Sequence, residues 1–295
     1  MSFLLRTMAG PLYQIHRHWS YSFRVLFLVL LLTVITQVGG IILWLSLPAL
    51  SSIRIRVEAA SGRTIALGVA TAIFITIYGF FSWFIVPNIA PIFGRVALPC
   101  FSTDDLAIKP GNILFCALNR NYVVPGLKDL LIGLSKNMAN KHEGFAIMYL
   151  DANLPFIDGF PLIPHLSHND GRKVDLAFPY WVKKSHASFD DIASPIGYWA
   201  FEFPRDNEKD ACHGSGGLLR WNFRWLQGLF DEVEIDPAKT REILTWLTSG
   251  RDSNHVRKLF IEPHLKQRLG VNSGKIRFQG CHAARHDDHI HVEYQ

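Results

Sequence analysis

Residues 286–294 read HDDHIHVEY, and from Asp288 onward this stretch alternates as a strand does. Side chains two apart on a strand share a face, so His289 and His291 can point into one site. A second cluster lies far upstream: His165-Leu-Ser-His168-Asn-Asp-Gly171-Arg-Lys-Val-Asp175. On a strand through Val174–Phe178, Val174 and Leu176 face the core and Asp175 faces the other way, beside the small Ala177. Gly171 permits a tight turn that folds His168 back toward Asp175. Two imidazoles and one carboxylate with an open fourth position suit catalytic zinc. An isolated H-x-H pair is commonly just an exposed strand face. The reading rests on two clusters, each on an expected strand.

Working outward, Phe145–Leu150 and Lys275–Phe278 also read as strands, and Asn112–Leu118 (NILFCAL) reads as a buried one. Pro125 opens a helical pattern over Gly126–Asn140, with Leu127, Leu130, Leu131 and Leu134 on one face. Further helices are expected over Leu218–Phe230, Pro237–Leu247 and Asn254–Leu269. Strands and helices in no regular alternation predict an α+β domain, an antiparallel sheet with flanking helices, over residues 111–295. Residues 96–110 read as a linker, which begins near Pro87.

The N-terminal third is different in kind. The chain has 295 residues, 49% of them apolar, and a formal charge of +5. Residues 1–95 hold seven Arg and one acid, while the remainder carries 23 Lys+Arg against 24 Asp+Glu. The basic surplus therefore sits at the N-terminus, which disfavours nucleic acid as a partner of the larger part. Val25–Ile53 and Thr64–Gly94 contain no charged residue, and each exceeds the ~20 apolar residues that cross a bilayer as a helix. After a tail over residues 1–24, two transmembrane helices are expected at about 25–50 and 64–86, within a segment ending at residue 95. The lipid bilayer is thus an expected partner. Arg6, Arg17, Arg24, Arg54, Arg56, Arg63 and Arg95 flank both ends of these runs, so charge alone barely sets the topology.

The histidine motifs resemble a known family. Ser167-His168-x-x-Gly171-x-x-Val174-Asp175, followed by His286-x-x-His289-x-His291-Val292, is similar to the penicillin-insensitive murein endopeptidases. These belong with lysostaphin, the D-Ala-D-Ala peptidases and the hedgehog signalling domain. Arg120-Asn121-Tyr122 and Leu259-Phe260-Ile261-x-Pro263-x-Leu265-Lys266-Gln267 resemble the family's flanking segments, so the likeness covers roughly Leu118–Tyr294. It implies Zn2+ held by His168, Asp175 and His291, with His289 as general base or transition-state stabiliser and His165 and His286 lining the site. The implied protein is a zinc metallopeptidase cutting peptide cross-links of peptidoglycan, tethered to a bacterial inner membrane with its catalytic domain in the periplasm. A zinc-binding domain that has lost catalysis is the alternative. The chain departs from the pattern at Leu154–Pro164, bulky where the family is glycine-rich, and at Val124, where a His is expected.

Other features carry less. His213-Gly-Ser-Gly-Gly217 lacks the Lys-Ser/Thr of a phosphate loop and reads as a flexible connection. Trp221 and Trp225 read as core packing. Cys100, Cys116, Cys212 and Cys281 form no C-x-x-C pair, so a cysteine zinc site is disfavoured and disulfides are permitted. His142, His186, His255 and His264 read as surface or capping residues.

Overall fold

The computed structural model describes residues 22–103, 106–213, 220–230 and 232–295. The chain divides into two compact units at the Val86–Pro87 boundary.

In the first unit, helix α1 (Ser22–Thr36) is followed by α2 (Gly39–Ser61) and α3 (Arg63–Phe80). The first apolar run is therefore not one span over 25–50. It breaks where Gln37 takes a left-handed conformation (φ 65°) and the Thr36 hydroxyl accepts from the Gly39 amide at 2.7 Å. A Cβ on Gly40 would meet Thr33 Oγ1 and the Val29 carbonyl, so glycine is what lets the two helices meet so closely. Past this break α2 absorbs the expected interspan loop and ends at Gly62. Helical backbone then continues from Arg63 to Phe93 through a π-helical turn, the short α4 (Val86–Ile89) and a 3-10 turn. Gly39–Ser61 and Arg63–Phe93 are each long and apolar enough to cross a membrane. Residues 1–21, including Arg6 and Arg17, lie outside the described residues.

The second unit is α+β. Two strands occupy the stretch expected as a linker, β1 (Val96–Ala97) and β2 (Ile108–Pro110). The stretch expected as a strand at 112–118 is instead a short helix, α5 (Leu114–Ala117). Next come β3 (Tyr122–Val123), α6 (Pro125–Lys141), β4 (Ile147–Tyr149), β5 (Lys173–Ala177), β6 (Tyr180–Val182), β7 (Ser188–Phe189) and β8 (Val233–Ile235). The chain continues through α7 (Pro237–Ser249), β9 (Val256–Phe260), α8 (Pro263–Arg268), β10 (Ile276–Arg277) and β11 (His289–Tyr294). The expected helix over 254–269 is thus a strand and a short helix. The helix expected over 218–230 is, within the described residues, only a 3-10 segment at Arg224–Leu229.

The main sheet runs β10-β9-β11-β5-β4-β2. Its centre is antiparallel as expected, but the outer pairs β10–β9 and β2–β4 are parallel. Small antiparallel sheets β7-β6-β8 and β1-β3 flank it. Pro125, Pro237 and Pro263 each open a helix, where a missing amide hydrogen costs nothing. Leu127, Leu131 and Leu134 of α6 and Ile243, Leu244 and Leu247 of α7 join Val174, Leu176, Ile290 and Val292 in one buried core. Strand alternation turns Asp175, His289 and His291 to the opposite face. Disulfide Cys100–Cys116 ties Cys100 to α5, and Cys212–Cys281 joins two irregular segments.

Candidate metal centre

Strand register assembles the centre. In the β5–β11 ladder His291 lies directly across from Asp175, and His289 across from Ala177, whose small side chain leaves space beside it. His168 arrives from the turn before β5. Gly171 holds that turn at φ 76°, and a Cβ there would sit 3.2 Å from both Arg95 Nε and Val124 Cγ1. Gly171→Ala should therefore destabilise the domain by about 1–2 kcal/mol from backbone conformation alone, before the contacts are counted. Denaturant unfolding of the two proteins measures it.

His168 Nε2 lies 3.1 Å from His291 Nδ1 and 3.3 Å from Asp175 Oδ1, and His291 Nδ1 lies 2.8 Å from the same oxygen. All three residues are buried, and their donor atoms fall within 4.8 Å of one another. His168 Nδ1–H donates to the Ala152 carbonyl at 2.7 Å, which fixes the tautomer and leaves the Nε2 lone pair facing the cluster. The set of two imidazoles and a carboxylate fits a metal ion.

His165, His286 and His289 surround these three. The His289 ring centroid lies 4.9 Å from that of His286 and 6.1 Å from that of His165, and His289 Nε2 lies 3.6 Å from Asp175 Oδ1. All six histidine and aspartate residues singled out in the sequence thus come together. Burial opposes charge on His289, yet the carboxylates of Asp175 and Asp288 outweigh it and hold the imidazole at about 9. Burial, reinforced by the charges of His289 and His291, pushes His286 well below the ordinary histidine range. Burial likewise lowers His168, against the pull of Asp175. Asp175 is held ionised against its own burial by His168 and His289.

Several contributors were not singled out in the sequence. Tyr198 donates to Asp175 Oδ2 at 2.8 Å and accepts from the Asp151 amide at 3.1 Å. It sits in an irregular segment with no periodic signal. Asp288 lies 2.5 Å from His289 Nδ1 through Oδ1 and accepts from the Trp199 amide through Oδ2, so it orients the ring. Glu262 accepts from the His286 amide and is gripped by both terminal nitrogens of Arg220. The charged pair was legible as adjacent sequence only for Asp288.

Arg120 forms a two-pronged ion pair with Asp151, whose Oδ2 also lies 2.8 Å from His165 Nδ1. Burial opposes the ionised carboxyl, but Arg120 and His165 together hold Asp151 far below the usual range. Arg120→Met should cost about 3–5 kcal/mol at neutral pH, because it strands a buried charge. The pair's contribution is complete above the unfolded carboxylate pKa of about 3.9 and disappears as pH falls through the lower folded value. Thermal unfolding of wild type and variant should therefore diverge at pH 7 and converge in acid.

A cleft of about 370 Å³ opens beside the centre. Arg120, Asp151, His165, Asp288 and His289 form its polar end; Leu114, Phe115, Ile163, Trp199, Phe201 and Trp221 form its apolar walls. Trp221 and Trp225 are not core residues: both are exposed, and Trp221 lines this cleft. His264, by contrast, is buried, with Nε2 donating to the Glu202 carbonyl at 2.6 Å. Residues 214–217 of the glycine-rich stretch lie outside the described residues. No protein-family model matches the chain, and no curated protein matches it.

Proposed function

We propose that the second unit is a zinc metallopeptidase domain of the lysostaphin, D-Ala-D-Ala peptidase and hedgehog type, tethered to a membrane by the preceding helices. The observation that carries this reading is the β5–β11 register, which sets His291 against Asp175 with His168 Nε2 beside both. His168, Asp175 and His291 would hold the ion. When bound, zinc supplies Lewis-acid polarisation of a scissile carbonyl and makes water acidic near neutral pH. His289, steered by Asp288, suits donation of a hydrogen bond to the oxyanion that develops during attack. His286, whose amide is held by Glu262 and whose ring lies 4.9 Å from that of His289, lines the site beside it. Tyr198 and Asp151 fix the outer oxygen of Asp175 and the ring of His165.

The substrate we assign is a peptide cross-link of peptidoglycan. We place the chain in a bacterial inner membrane with this domain on the periplasmic side, a placement supported by the two disulfides, which persist in oxidising compartments. The test is zinc analysis of the purified full chain together with release of peptides from isolated peptidoglycan. Zinc with hydrolysis supports the reading. Zinc without hydrolysis favours a binding domain that recognises cell-wall peptide or a protein partner, and absence of zinc removes both.

A further inference from the structure

The bulky segment Leu154–Pro164 forms one lip of the cleft, through Ile163 and Pro164. It is fastened to the residues that close the long apolar helix. The ring of Phe93 packs on that of Phe156 with centroids 4.9 Å apart. Arg95 is buried and donates to the Leu154 carbonyl, to Asp158 and, at 3.3 Å, to the Asn169 carbonyl. Arg95 is thus a clamp on this loop rather than a free charge beside a span. Large apolar side chains nonetheless point into solvent along this loop: Ile157 is 54% exposed, Ile163 55% and Leu166 58%. Leu114, which also lines the cleft, is exposed as well, and Ile92 and Phe93 carry apolar surface to the very end of the helix. Exposed apolar side chains grouped on one loop mark an interaction surface. The partner is indicated by chain continuity, because the loop is clamped by Phe93, in the 3-10 turn that ends an apolar, span-length helix, and by Arg95 just after it.

We propose that the loop over residues 154–166 rests in the interface of the bilayer that the preceding helix crosses, so that the cleft opens at the lipid surface. A site so placed meets peptides carried on membrane-borne molecules, and this consequence rests on the peptidase reading above. The surface itself rests only on the helix Arg63–Phe93 crossing a bilayer.

All four native cysteines are paired, so an added one can be labelled selectively. The full chain carrying Ile157→Cys, Leu166→Cys or, as a control, exposed Lys184→Cys is labelled with a polarity-sensitive fluorophore. It is then reconstituted in phosphatidylethanolamine–phosphatidylglycerol vesicles with brominated acyl chains. Labels at 157 and 166 should be quenched by the brominated lipid, at the roughly 5–10 Å depth of interfacial apolar side chains, while the label at 184 remains open to aqueous iodide. Labels at 157 and 166 that answer only to iodide overturn the proposal. Equal lipid quenching at 184 also overturns it, as would release of the chain from vesicles by alkaline carbonate. Zinc content measured on the same samples reports on the peptidase reading separately, since none of the labelled positions touches the metal centre.

Discussion

Asp175→Ala is expected to abolish metal binding. The Asp175 carboxylate is the only acidic donor among the three grouped residues, and its Oδ1 lies within 3.3 Å of the facing nitrogens of both His168 and His291. Without it two neutral donors remain, and affinity should fall by more than the ~10–100-fold that loss of a mere outer partner costs. The hydroxyl of Tyr198 loses its acceptor in the same change, so the metal-free protein should also lose about 1–3 kcal/mol of stability. Asp175→Asn separates the two effects, because the amide keeps the volume and an oxygen for Tyr198 while giving up the charge. Metal analysis after dialysis against a weak chelator, with thermal unfolding of the metal-free proteins, checks both. Full metal occupancy in Asp175→Ala would remove this residue from the ligand set.

Under the proposed peptidase reading, His289→Ala should leave metal content intact and lower turnover on peptidoglycan by ~100- to 10,000-fold, the loss typical of an acid–base or oxyanion group. His291→Ala should lose metal and activity together. The two residues share one strand face, but only His291 has a nitrogen within hydrogen-bond distance of both Asp175 and His168. His289 is instead directed by Asp288. If His289→Ala sheds the metal, it is a ligand and the roles within the H-x-H pair are reversed. If it keeps metal and full turnover, His286 or His165 carries the proton.

The site was legible because strand alternation is the shortest and least ambiguous period in a chain. Asp175, His289 and His291 could each be assigned a strand face from neighbours one and two positions away, His168 followed from the turn at Gly171, and His165 and His286 entered only through the family resemblance. The helices α6 and α7 were legible for a similar reason, each opened by proline and carrying leucines at helical spacing. Where the reading failed, tertiary pairing decided. Val256, Leu259 and Phe260 are spaced as on a helix face, yet β9 forms because β11 and β10 flank it on both sides. Apolar NILFCAL became a helical turn whose Ile113 and Leu114 stay exposed at the cleft, while Cys116 is bonded to Cys100. Residues 96–110 looked like a connection because strands of two and three residues are too short to show a period. The break at Gln37 was hidden inside an uncharged run, marked only by one amide side chain and the glycines at 39 and 40.

The β5–β11 register also dictates when the centre can exist. Asp175 and His291 are 116 positions apart, and His168 and His291 are 123. Closing loops of that length is slow and entropically opposed, and it is repaid only once the central ladder zips. No shorter stretch of the chain brings the three donors together, so a nascent or partly folded polypeptide has no competent centre to load. If the centre holds an ion as proposed, metal capture would be a late event in maturation, following closure of the β5–β11 ladder.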